Sequence, residues 1–449
     1  MYKFLRASML AIALLSSLNS FALDGAWRGK LDVNSVKLPL VFNFATTQSG
    51  NTSCTLDSPM QGAKGLKAVV LYCDNDSVAL EIRSIRASYT GKIANGKIKG
   101  TLKQNGYTLP LDLTPEKSIG ERRPQTPRAP FPYRSTDTTF TAEDGTLMAG
   151  TLVIPDKIAK GSPAVVMVTG SGPQNRDEEL FEHKPFAVIA DALARQGIIS
   201  FRYDDRGTAK SQGDFKTADF DTFKSDAKAA VRFVKSIKGI GRTGILGHSE
   251  GGTIALLLAS EKVPDFAVSL AAATVDGKDI IMCQNELALG KLNLSNTQKS
   301  DALKLLSITF DDIIAGSNPS EIPIDKYISD NSLDIPPYLL TSMRQSIAAG
   351  SNSHFRSLLS LKPAGSIRKI KRPVFALNGS LDTQVNSTDN LAVIKKNMPK
   401  AVTKEYPGLN HLFQHATTGE ITEYADITET ISPEVLADIC SFIKCIVHN

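Results

Sequence analysis

What this 449-residue sequence lacks already narrows its class. Beyond the N-terminus it has no apolar run approaching the roughly 20 residues that a membrane-spanning helix needs, so no stable membrane insertion is expected. It has no strong excess of charge: 51 basic residues stand against 46 acidic ones. That balance does not point to nucleic acid or to a membrane surface as a partner. Its five cysteines, Cys54, Cys73, Cys283, Cys440 and Cys445, show no metal-ligand spacing, and neither metal nor cofactor is implied. No repeat or low-complexity tract stands out. Histidine is scarce, with six in the chain, so any histidine base can be sought by elimination.

The long apolar run that is present lies at the start. Lys3 and Arg6 precede Ala7 to Leu15, and the small-residue site Ser20-Phe21-Ala22 follows. This pattern predicts a signal peptide spanning residues 1–22, cleaved after Ala22, and an exported, periplasmic or extracellular protein. Removing its two basic residues leaves 49 against 46, a net charge of +3. An oxidising destination makes disulfides plausible. Cys54 and Cys73, in neighbouring strand-like runs, are the favoured pair. Cys440 and Cys445 sit five apart on an expected helix, which sets them on different faces.

Residues 23–115 read as strands and turns, with Leu38 to Phe44, Lys67 to Cys73 and Val78 to Ile85 as strands. Ile98 to Leu102 and Tyr107 to Leu113 flank Gln104-Asn105-Gly106, a hairpin signal. A small antiparallel β domain is expected. It carries no acid, histidine or nucleophile cluster, so a structural attachment is preferred over a binding module. Pro115, Pro124, Pro127, Pro130 and Pro132 mark residues 116–137 as an extended linker. From Thr138 the pattern turns to alternating strands and helices, with apolar runs at Ala164 to Val168, Ile198 to Tyr203 and Phe266 to Ala272. Repeated βα units predict a mostly parallel sheet covered on both faces, an α/β domain over 138–449. The alternation stops at about 275–367, where amphipathic helical runs suggest an inserted helical lid. It resumes at Pro373 to Leu377, and the helix Pro433 to Cys445 closes the domain.

The stretch around which this domain is organised is Gly247-His248-Ser249-Glu250-Gly251-Gly252. A bare G-x-S-x-G pattern would occur by accident about 0.15 times in a chain this long, given Gly and Ser at roughly 7% each. Here an apolar strand precedes it and an apolar helix follows, the setting of a nucleophile elbow with Ser249 as nucleophile. A serine hydroxyl needs a base, itself oriented by a third group. In the order Ser, acid, His, the histidines available after an acid are His411, His415 and His448. His411 follows the last strand directly, at the carboxyl edge where open sheets gather functional loops. His415 is its rival, and His248, adjacent to Ser249, reads as a packed or partly exposed residue. The same strand-end logic selects Asp382, with Asp389 next. An oxyanion needs preorganised donors. The backbone N–H of Glu250 and that of Ser171, in Thr169-Gly170-Ser171-Gly172-Pro173, are the expected pair.

Taken together, residues 170–178, His183-Lys184-Pro185-Phe186, Asp204-Asp205-Arg206-Gly207, residues 247–252, Gly379 to Val385 and Leu409 to Gln414 resemble the secreted bacterial α/β-hydrolases described as serine esterases or serine-aminopeptidase-like hydrolases. Several of these carry a β-rich N-terminal domain. The resemblance implies the α/β-hydrolase fold, a Ser249, Asp382, His411 triad and carboxylic-ester substrates. Asn175 stands where an acid is expected, and Thr208-Ala209 replaces a glycine-containing pair. The expected activity is ester hydrolysis through an acyl-enzyme, on a small-molecule ester or a short peptide. An aminopeptidase-like enzyme using the same triad is the alternative, and a binding protein that kept the fold without catalysis comes from another class. Carboxylate-nucleophile hydrolases are disfavoured, because a serine occupies the elbow.

Overall fold

The computed structural model describes residues 23–33, 36–47, 51–61, 63–116, 122–349 and 352–448. The expected signal peptide at 1–22 lies outside the described residues. The chain divides into two compact units, Met1–Ser118 and Ile119–Asn449.

In the first unit, strands β1 (Gly25–Val33), β2 (Val36–Thr46), β3 (Thr52–Ser58), β4 (Ala63–Cys73), β5 (Ser77–Ile82), β6 (Ala87–Ala94), β7 (Lys97–Gln104) and β8 (Tyr107–Pro110) pair antiparallel with their chain neighbours. The chain after β8 keeps pairing with β7, Leu113 donating to the Ile98 carbonyl at 2.7 Å. It then pairs through β9 (Thr114–Pro115) with β1. The last strand thus touches both neighbours, and the sheet closes into a meander barrel. Alternate side chains such as Trp27, Phe42, Leu80 and Tyr89 fill its interior. The favoured disulfide does not form: Cys54 and Cys73 are free thiols. Strand register sets Cys54 opposite Ala68 rather than Cys73, and burial pushes the Cys54 thiol up to about 12. Membership of adjacent strands is therefore not enough to bridge two cysteines; they must also share a register position.

The second unit is built on one eight-stranded sheet: β10 (Tyr133–Thr141), β11 (Leu147–Pro155), β12 (Ser162–Val168), β13 (Ile199–Tyr203), β14 (Ile240–His248), β15 (Ala267–Leu270), β16 (Val374–Gly379) and β17 (Val402–Tyr406). The spatial order is β10-β11-β13-β12-β14-β15-β16-β17. β10 and β11 pair antiparallel, and every pairing from β13 to β17 is parallel. This is the α/β-hydrolase fold that the motifs imply. The apolar runs in the sequence follow from cover on both faces. Along β12, Ala164, Val166 and Val168 point into one core, and Val165 and Met167 into the other. Between β15 and β16 the described residues form six helices, from Gly277–Gly290 to Ala364–Ile367, with their own core around Leu305, Phe310 and Met343. The insertion also packs onto the sheet domain, through Ile367, Leu358 and Leu361.

One stretch differs from expectation. Residues 122–137, expected as part of a linker, are built into the second unit. Arg123 is buried and donates to the carbonyls of Phe181, Ala425 and Ile427 at 2.8–3.1 Å. Gln125 donates to the Ile431 carbonyl at 2.7 Å, and β10 already begins at Tyr133. Prolines favour extended backbone, but buried side-chain anchors between them decide whether that backbone hangs free or is laid onto a domain.

Candidate active site

The strand β14 runs into a sharp turn at Ser249 and then into the helix Glu250–Ser260. Ser249 takes φ 53°, ψ −116°, a backbone strain of about 1–3 kcal/mol for a residue with a Cβ. Its N–H is held by the Leu270 carbonyl at 2.8 Å. The flanking glycines are required by space. A Cβ on Gly247 would stand 1.9 Å from the Gly251 carbonyl oxygen, and one on Gly251 would stand 2.2 Å from that of Val168. Strand and helix therefore pass close enough to present a partly exposed serine at the sheet's carboxyl edge.

Asp382 and His411 arrive at the same edge on the loops after β16 and β17. His411 Nδ1 lies 2.7 Å from Asp382 Oδ2, and both groups are buried. The other Asp382 oxygen accepts from the N–H groups of Gln384 and Val385, each at 2.8 Å. The carboxylate thereby fixes the imidazole tautomer: Nδ1 carries the proton and Nε2 keeps its lone pair. His411 makes no hydrogen bond to the Ser249 hydroxyl in this geometry. His415 points elsewhere; it is exposed and pairs with Glu429 at 2.8 Å. Asp389 is exposed in the first turn of the helix Ser387–Asn397. His448 is at the end of the closing helix Pro433–His448.

The loop after β12 comes against the nucleophile. A Cβ on Gly170 would stand 3.2 Å from Glu178 Oε1 and 3.3 Å from Ser249 Cβ, so a larger residue would push the loop back by a few tenths of an ångström. Three buried carboxylates hold it. Asp205 accepts from Thr169 Oγ1 at 2.7 Å and from Gln174 N at 2.9 Å. Glu178 accepts from the Gly170 N–H at 2.6 Å, and Glu250 Oε2 accepts from Ser171 Oγ at 2.8 Å. Burial, and with it the nearby charges of Glu250 and Glu178, pushes Asp205 well above the usual carboxylate range. The N–H of Glu250 opens its helix and has no partner within it. Ser171 and Glu250 both line, with Ser249, a cavity of about 110 Å³. The rest of its wall is mostly apolar, with Ile280, Ile281, Leu358 and Leu361 contributed by the lid.

Two histidines set aside in the sequence belong to this surround. His248 is buried between Glu178, 2.9 Å from Nδ1, and the His411 carbonyl, 2.9 Å from Nε2. Both partners accept hydrogen bonds, an arrangement that favours the doubly protonated ring. Burial opposes that charge most strongly, but the charge and hydrogen bond of Glu178, the hydrogen bond to the His411 carbonyl and the nearby Asp382 together raise the pKa above 6.5. Its ring centroid is 4.6 Å from that of His411. His354, on the lid helix Ser353–Leu359, reaches the Glu250 carboxylate. The two departures in the motifs are local. Asn175 Oδ1 accepts from the N–H groups of Asp177 and Glu179. Ala209 adopts φ 47°, the conformation for which glycine is the usual choice.

Residues 182–312 match the family described as Serine aminopeptidase, S33. The chain is similar to the esterase EstD of Thermotoga maritima, with 27% identity over 266 residues, 58% of each protein. The match thus spans just over half the length of that relative. Among solved structures, an esterase of Pyrococcus furiosus matches 70% of this chain and 91% of its own, at 18% identity and a TM-score of 0.42. The Est1E protein of Butyrivibrio proteoclasticus with bound ferulic acid matches 69% of this chain and 97% of its own, at 15% identity and a TM-score of 0.42.

Proposed function

We propose that this member of the α/β-hydrolase superfamily is an exported serine hydrolase that cleaves carboxylic esters through an acyl-enzyme. The observation that carries the reading is the convergence on one sheet edge of a strained Ser249 and a buried His411–Asp382 pair at 2.7 Å. His411 Nε2 takes the Ser249 proton as Oγ attacks the ester carbonyl. The backbone N–H groups of Ser171 and Glu250 receive the developing oxyanion, each contributing roughly 3–4 kcal/mol to the transition state. Asp382 holds the resulting imidazolium, which protonates the leaving alcohol. Water then attacks the acyl-serine by the same steps in reverse.

The cavity favours an ester over an aminoacyl substrate. A free amino terminus needs an available carboxylate. The acid lining this cavity is Glu250, and both its oxygens are already engaged, by Ser171 and His354. A short, neutral acyl group fits the apolar wall, whereas the ammonium of an aminoacyl amide would be desolvated without a partner. The similarity to EstD supports the same reading. The exported location rests on the N-terminal pattern, and mass spectrometry of the mature N-terminus is expected to place cleavage after Ala22.

The test is burst kinetics with a chromogenic acyl ester and its aminoacyl-amide counterpart. Ser249→Ala is expected to lower kcat on the order of 10⁶-fold and to abolish fluorophosphonate labelling. Full turnover by Ser249→Ala would refute the nucleophile. Faster hydrolysis of the amide than of the ester would establish the aminopeptidase reading instead, and failure of the wild type to take the label would point to a binding protein.

A further inference from the structure

The residue after the nucleophile poses an electrostatic problem. Its N–H is one of the two proposed oxyanion donors, yet its side chain is a buried carboxylate beside the same cavity. A negative charge there opposes the one that develops in the transition state, in a setting of weak screening. The structure shows how that carboxylate is occupied. Oε2 accepts from Ser171 Oγ at 2.8 Å, and His354 Nε2 lies 2.9 Å from Oε1 and 3.0 Å from Oε2. The His354 ring is itself fixed, edge-on to Phe215 and Phe223 at centroid distances of 6.3 and 5.3 Å.

These contacts join three pieces of chain far apart in sequence. Ser171 stands in a glycine-flanked loop, with Gly172 at φ 97°, between neighbours anchored on Asp205 and Glu178. Its hydroxyl is tied to the side chain of Glu250, the residue that bears the other donor. The two N–H groups are therefore linked through one carboxylate, and the imidazole that satisfies this carboxylate comes from the lid. Catalysis by preorganised donors depends on their spacing to within fractions of an ångström, so such a link has a kinetic consequence.

We propose that Ser171 Oγ, the Glu250 carboxylate and lid-borne His354 form a positioning relay that sets the spacing of the two oxyanion donors, with His354 offsetting the carboxylate next to the oxyanion. The lid then does more than wall the acyl cavity: its docking completes the electrostatics of the oxyanion hole. This inference rests on the esterase reading above.

The experiment is steady-state kinetics on a chromogenic acyl ester with full-length Ser249→Ala, His354→Ala, His354→Gln, Glu250→Gln and the double variant His354→Ala/Glu250→Gln, alongside thermal melts. His354→Ala leaves the buried carboxylate with one donor fewer. It is expected to lower kcat about tenfold or more while KM changes less than about threefold. His354→Gln, whose amide can still donate, is expected to retain most of kcat. Glu250→Gln keeps an acceptor for Ser171 without the charge, so the double variant is expected to turn over faster than His354→Ala alone. A purely mechanical tether predicts no such recovery. The inference falls if His354→Ala matches wild type in kcat, or if the double variant is no better than His354→Ala. If Ser249→Ala turns over as fast as wild type, the esterase reading falls and takes the relay with it, an outcome that the serine control separates from the other two.

Discussion

Two loops at the same sheet edge are held in opposite ways. The Thr169–Gln174 loop is gripped by charge: Asp205, Glu178 and Glu250 are buried around it, with His248 and His354 alongside. The loop carrying His411 is held largely by amides, beside the Asp382 carboxylate and the His248 ring that meet His411 itself. Asn410 Oδ1 accepts from the N–H groups of Leu412 and Gln414 at 3.0 Å each, and Asn410 Nδ2 donates to Gln414 Oε1 at 2.9 Å. Gln414 Nε2 in turn meets the Glu429 carbonyl and buried His183, which also contacts Thr430 Oγ1 and the Tyr424 carbonyl. The first loop is built on acids and their hydrogen-bond donors, whereas the second relies mostly on amide side chains and backbone carbonyls. The two braces therefore fail under different conditions.

The most damaging way to break the contrast is to take one partner from the charged brace. Glu178→Gln leaves the His248 imidazolium buried without its anion and weakens the hold on Gly170. A loss of about 3–5 kcal/mol in urea melts at neutral pH is expected. A loss below about 1 kcal/mol would mean that His248 is not charged.

Acid is expected to act on the other loop. Burial, reinforced by the nearby Arg123, lowers the His183 pKa from 6.5 to about 4. Between those values the unfolded chain binds a proton that the folded chain does not. The stabilisation is thus complete above about pH 6.5 and is lost as pH falls towards 4, by at most about 3 kcal/mol. His248 has the reverse sign. Its folded pKa is raised, so its contribution is complete below about pH 6.5 and is lost as pH rises through the folded value. Urea melts across this range should show wild type weakening on the acid side, and His183→Asn should flatten that limb while leaving the alkaline limb unchanged. The smallest effect belongs to a residue outside both braces. His415→Ala, at an exposed pair with Glu429, is expected to change stability by less than about 0.5 kcal/mol and to leave kcat unaltered. A large fall in kcat would return His415 as a rival to His411.

The sequence made some of this legible and hid the rest for identifiable reasons. Gly247 and Gly251 could be read as space requirements because a strand–turn–helix crossing leaves no other choice. Asp382 and His411 could be read because strand ends in a parallel sheet share one edge. His248, His354 and Arg123 could not. Each is a polar residue whose partners, Glu178, Glu250 and the carbonyls of Phe181, Ala425 and Ile427, come from distant segments. Local pattern holds no trace of such pairings. The Cys54–Cys73 expectation failed for a related reason, since adjacency of strands can be guessed while register cannot.

Local order along the chain determined the alternation of strands and helices, the elbow and the succession Ser249, Asp382, His411, because periodicity and motif spacing are properties of contiguous residues. Tertiary structure alone decided which acids became buried braces, which histidines met them, and that the helix Ser353–Leu359 would reach Glu250. Those outcomes depend on burial and on partners far away in sequence, and a chain acquires both only when it folds.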